Sequence, residues 1–200
     1  MAWPDGNQVR TVKRLRSYGP VIEQALALYS GTDLPFFVHL RYNTVGVNSK
    51  ANTHPFVLSP DLAMAHNKTL AIEPPHRQWS DSRTVAELLQ LLLAGDPAFF
   101  GSPLFWSFIE HQAGPDNRLV FLDANNQELV IVNEHLGIDV GGLWFSNLYA
   151  WDSSTAGISH RSGAFTSKTD EQDRYQLDCW NYESDSWDSP LAWGAAGVDR

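Results

Sequence analysis

Hydrophobic and polar positions change their period several times along these 200 residues, and each change predicts an element. Gln8 to Lys13 alternates as a strand does, behind a Pro-Asp-Gly-Asn turn at residues 4–7. A hairpin turn so near the first residue needs an earlier strand to return from, and the few preceding residues do not suggest one. Tyr18 to Tyr29 puts Val21, Ile22, Ala25, Leu26 and Leu28 at helical spacing, and Gly31 and Asp33 end that helix. Leu34 to Tyr42, aromatic and apolar, predicts a buried strand. His54–Leu58 and Leu62–His66 flank Ser59-Pro60-Asp61, a turn signal, and predict a hairpin. Arg83 to Ala94 is the clearest helix, with Ser80, Asp81 and Ser82 as capping residues ahead of a leucine stripe. Phe105 to Gln112 predicts a second helix on that side. Leu119–Asp123 and Glu128–Val132 predict another hairpin, and Leu143–Tyr149 a last strand. Strands and helices grouped in this way predict an α+β domain with largely antiparallel sheets.

Composition narrows the function classes. Hydrophobic residues make up 43% and charged residues 18%, enough for one domain with its own core. With 14 basic and 23 acidic residues the net charge is −9, which argues against nucleic acid and anionic membranes as partners. The one local basic run, Arg10 to Arg16, is short and interleaved with apolar residues, as on a solvated strand face. No apolar stretch reaches the roughly 20 residues of a membrane helix. The first residues lack a signal peptide's charged start and apolar middle, and Cys179 stands alone, so a cytoplasmic protein is expected. From Trp151 onward Ser, Thr, Asp and Gly dominate, with Trp and Tyr among acidic residues. The expected division is a domain over 1–150 and a partly ordered acidic tail over 151–200.

Three segments carry more chemistry than structure alone needs. Arg41 leaves a buried strand in His39-Leu40-Arg41-Tyr42-Asn43-Thr44-Val45-Gly46, where a guanidinium can hold a carboxylate through two parallel hydrogen bonds. Its plainer role is a salt-bridged or snorkelling arginine. Asn67 in Ala65-His66-Asn67-Lys68 follows a strand end, where its amide and the next backbone N–H can face an oxyanion; its plainer role is a turn. Asp81 opens a helix, which it helps to cap, and its carboxylate can also receive an ammonium group. An arginine for a carboxylate, an aspartate for an ammonium and an asparagine for an oxyanion together suit an α-amino-acid amide such as glutamine.

These segments, in this order, resemble class II glutamine amidotransferases. HLRYNTVG at 39–46 is similar to that family's His-x-Arg-x-Ala-Thr-x-Gly, and NTHPF at 52–56 to its Asn-x-(His/Gln)-Pro-Phe. AHNK at 65–68 resembles Ala-His-Asn-Gly, and SDSR at 80–83 resembles Ser-Asp-(Ser/Thr)-Glu at a helix start. The later strands LVFLDANNQELVIV and LWFSN resemble small phage and bacterial members. The likeness covers roughly residues 1 to 150. It implies an Ntn-hydrolase-like αββα sandwich of two antiparallel sheets, incomplete here at the N-terminus. It also implies that an N-terminal cysteine attacks the glutamine side-chain amide, releases ammonia and leaves a thioester for water to resolve, with no cofactor and no metal. By motif, Arg41 would bind the glutamine carboxylate, Thr44 would line the same pocket and Asp81 would hold the α-ammonium. Asn67 and the backbone N–H of Lys68 would form the oxyanion hole. A synthase partner accepting the ammonia is implied as well.

The departures fall on the chemistry. The chain begins Met1-Ala2 where the family has a cysteine and a first strand, and Asn43 and Lys68 replace the usual Ala and Gly. Two readings fit: a start placed downstream of the nucleophile, or a domain that keeps the fold without hydrolysis. A non-catalytic module binding an amino acid or peptide is the alternative function. A metal enzyme is disfavoured, because Pro74 and Pro75 between Glu73 and His76 forbid a helical ligand pair.

Overall fold

The computed structural model describes residues 1–41, 45–140 and 142–147. Ala2–Asp5 (β1) and Gln8–Thr11 (β2) form an antiparallel hairpin across Gly6, which takes the positive φ of 61° that this turn requires. The strand from which the turn returns is therefore residues 2–5 themselves, contrary to expectation. Pro4 obscured it, because proline is rare inside strands and tolerated on an edge. Helix α1, Gly19–Gly31, starts with Pro20 in its first turn, where a missing N–H costs nothing.

A four-stranded antiparallel sheet is the centre of the fold, in the order β3-β4-β5-β6: Phe56–Ser59, Leu62–Asn67, Arg118–Asp123 and Glu128–Val132. Asp81–Gly95 (α2) and Pro103–Ala113 (α3) cover one face. Their Val85, Leu89, Leu93, Phe105 and Ile109 pack on Met64, Leu119 and Phe121 of the sheet. On the opposite face Ala63 and Ala65 of β4 meet Ala2 and Phe37. Such small side chains let the β1–β2 hairpin approach closely, and β4 is buried on both faces. Beyond the hairpin, Val21 and Leu28 of α1 pack on Met1, Trp3 and Phe36. The layers thus run helices, sheet, hairpin, helix, an α+β arrangement with antiparallel pairing throughout. Ile138–Val140 (β7) and Leu143–Phe145 (β8) form a small separate hairpin.

Residues 34–41 depart from the expected strand. They run beside Ala2, but a single antiparallel bridge, Ala2 with Phe37, is all the pairing they have among the described residues. The apolar content of this segment serves packing against the hairpin and α1 rather than strand pairing. The predicted last strand is present over residues 143–145 only, and Tyr149 lies outside the described residues. The 151–200 tail and the residues Tyr42, Asn43 and Thr44 also lie outside them.

Candidate functional site

Three pieces of chain meet at the end of β4: the 34–41 segment, the Asn67 end of the strand and the start of α2. His39 joins the first two, because its Nε2 lies 2.9 Å from the His66 carbonyl oxygen and donates to it. That bond leaves His39 Nδ1 without a hydrogen and, among the described residues, without a partner. His39 packs at a tilt on His54 with ring centroids 3.9 Å apart, and both nitrogens of His54 are buried and, among the described residues, unpartnered. Burial pushes the His39 imidazole down to about 4 and His54 well below its ordinary value, so both are neutral at pH 7.

Arg41 donates from Nη2 to the Val45 carbonyl at 2.7 Å, while its Nη1 is buried with no partner among the described residues. Burial lowers its pKa and the nearby Asp81 carboxylate raises it again. The two charges therefore sense each other, yet no ion pair closes between them within 4.0 Å. Asp81 is itself buried, and its Oδ2 accepts the Leu70 N–H at 2.6 Å. Ser80 caps α2 by accepting the Arg83 N–H at 3.1 Å.

Asn52, which sequence reasoning passed over, places Arg41 relative to Asp81. Fully buried, it donates from Nδ2 to the carbonyls of Val47 at 2.8 Å and Gln78 at 2.6 Å. Its Oδ1 accepts the Ser80 N–H at 3.1 Å. The loop after Arg41 is thereby clamped to the loop before Asp81. Gly46 makes the clamp possible: at φ 77° it presses on Trp79, and a Cβ there would lie 2.6 Å from the Trp79 carbonyl carbon and oxygen. The only sequence signal was the Asn of the Asn-Thr-His-Pro-Phe segment.

Asn67 ends the same strand, in register with Ala63 and Ala65, which face the hairpin, and Lys68 follows it. Asn67 donates one amide hydrogen to Ser146 Oγ at 2.6 Å. Lys68 adopts φ 85°, and its Nζ lies 4.0 Å from Asp116, half exposed. No hydrogen bond ties Asn67 to Arg41 or Asp81 among the described residues. Thr44, expected in this pocket, lies outside them.

Arg41, His39 and His54 line a cleft with a volume of about 80 Å³, together with Met1, Val12 and Thr53. Its described walls carry no thiol, and the Thr53 hydroxyl donates to the Ser49 carbonyl. Among the described residues no group of three or more His, Cys, Asp or Glu could hold a metal ion, and His76 instead packs edge-on against Trp79. No described helix is long and apolar enough to cross a membrane. Compared with family models, with curated proteins and with solved structures, the chain matches none.

Proposed function

We propose that this chain is a class II glutamine amidotransferase-type domain that binds L-glutamine, or a closely related amino-acid amide, between Arg41 and Asp81. One observation carries the reading. A half-buried Arg41, whose Nη1 is buried and unpartnered among the described residues, lies within electrostatic reach of the buried Asp81 carboxylate with no ion pair between them, an arrangement that suits a zwitterion: carboxylate on Arg41, ammonium on Asp81. Two features add support. The helix–sheet–hairpin–helix layering suits an Ntn-hydrolase-like sandwich. Lys68 takes the positive φ open to glycine at the position where the family motif has glycine, which supports Asn67 and the Lys68 N–H as oxyanion donors.

Hydrolysis to glutamate and ammonia needs a nucleophile, which the resemblance assigns to an N-terminal cysteine. Turnover, with ammonia passed to a synthase partner, belongs to a form carrying an N-terminal cysteine.

Titration calorimetry with L-glutamine and with glutaramate, which lacks the α-ammonium, tests the reading. L-Glutamine should bind, and glutaramate, Arg41→Ala and Asp81→Asn should each weaken binding roughly tenfold to hundredfold, as for a lost hydrogen bond to a charged group. Equal affinity for the two ligands would remove Asp81 from the site. An ammonia-release assay then separates binding from turnover, and intact mass with N-terminal sequencing of protein from its native source tells which form is made.

A further inference from the structure

Asp81 has a second oxygen, and its availability depends on one proton. Oδ2 is occupied by Leu70, whereas Oδ1 has the Ser82 hydroxyl 3.4 Å away, outside the usual O–H···O range. Ser82 Oγ lies closer, at 2.9 Å, to His66 Nδ1. The other His66 nitrogen, Nε2, lies 2.9 Å from Asn117 Oδ1. The orientation of the Asn117 amide is fixed in turn, because its Nδ2 donates to the Ala113 carbonyl at 2.9 Å. An amide oxygen only accepts, so Nε2 carries the imidazole hydrogen. Nδ1 of the neutral ring is then a bare acceptor, and the Ser82 hydroxyl donates to it.

We infer that the Ser82–His66–Asn117 chain is a positioning device: it turns the single Ser82 proton away from Asp81 and keeps Oδ1 open to accept from the ligand. The identity of that ligand as an α-ammonium rests on the amino-acid reading above; the direction of the hydrogen bonds does not. Three elements contribute, β4, the first turn of α2 and the turn before β5, and all three side chains are at least half-buried.

Protonating His66 reverses the chain. An imidazolium donates from both nitrogens, so Ser82 accepts from Nδ1 and its own proton goes to Asp81 Oδ1, the acceptor that remains. The titratable groups facing His66 are the Asp81 carboxylate from α2, which favours the imidazolium, and the neutral His39 and His54 from the two segments packed against β4, whose protonation opposes it. At the surface, Lys68 and Asp116 offset one another. Burial, the largest influence, holds His66 below its ordinary value, so the open arrangement prevails at neutral pH.

The test uses the full chain labelled with ¹⁵N-histidine. At pH 7 the His66 resonances should report Nε2–H with a bare Nδ1; an Nδ1–H tautomer or an imidazolium overturns the inference. Asn117→Asp places a carboxylate beside Nε2 and should raise the pH at which His66 protonates. L-Glutamine affinity should then fall about tenfold from pH 8.5 to 6.5 in the variant and stay level in the wild type. A level profile in a variant whose His66 does protonate also overturns it. If the wild type binds no L-glutamine, the functional reading is refuted and the Asp81 ¹³Cγ shift of Asn117→Asp decides the positioning role alone. A shift that follows His66 protonation supports the role, and one indifferent to it sinks the idea.

Discussion

Asn52→Ala removes the clamp between the two halves of the site, and its cost follows from the geometry. Three hydrogen bonds disappear, to Val47 O, Gln78 O and Ser80 N, each worth about 1 kcal/mol net. Val47 and Gln78 are exposed residues, so water can replace part of what their carbonyls lose. The Ser80 N–H is buried at the helix cap and has no such substitute. The expected loss is about 2–3 kcal/mol, which for a domain of this size lowers the melting temperature by roughly 5–10 °C. Urea unfolding followed by tryptophan fluorescence measures it directly. Asn52→Asp sharpens the test. It keeps the acceptor for Ser80 but turns a buried oxygen toward two carbonyls, which disfavours the ionised form and raises that carboxyl's pKa. The variant should therefore lose more stability than Asn52→Ala at pH 8 and recover part of it at pH 5, where the protonated carboxyl can donate. A loss below about 0.5 kcal/mol for Asn52→Ala, or an Asn52→Asp variant that does not recover in acid, would refute the clamp.

Other perturbations report on neighbouring features. Gly46→Ala must push a Cβ into the Trp79 backbone at a positive φ, so it should cost about 3 kcal/mol or more and weaken glutamine binding in the same calorimetric titration. Lys68→Gly relieves a left-handed backbone and gives up only a long, half-exposed ion contact, so urea unfolding should show a gain of up to about 1 kcal/mol. The buried histidines predict acid lability with a definite sign. Unfolded histidines take up protons below about pH 6.5 while the folded ones refuse them, so their contribution to stability is level above that pH and falls as pH drops. For His39, whose folded value is about 4, the loss between pH 6.5 and 4 approaches about 3 kcal/mol. His54 and His66 add to it in the same direction. Unfolding at pH 8, 6 and 5 should show this slope, and His39→Gln should flatten it; a wild type equally stable at pH 8 and pH 5 contradicts the burial argument.

Elements whose cause lies within a few residues were legible in the sequence. The Ser80 cap and leucine spacing specify α2 because capping and amphipathic periodicity act over three or four positions, and Ser59-Pro60-Asp61 specifies its hairpin in the same way. Arg41 and Asp81 stand out in the sequence by residue type and order, and the fold places them within electrostatic reach of one another. What the tertiary structure alone decided involves separations no local pattern encodes. The 34–41 segment looked like a strand, but strand pairing needs a partner along its whole length and only Ala2 supplies one among the described residues. Asn52 carries no local sign of its role, which appears only where Val47, Gln78 and Ser80 surround it. Likewise residues 66, 82 and 117 are far apart in sequence, and their hydrogen bonds acquire a direction only where packing sets β4, α2 and the start of β5 side by side. Sequence specifies side chains and short-range geometry; whether an oxygen such as Asp81 Oδ1 is free depends on which distant groups the packed core delivers to it.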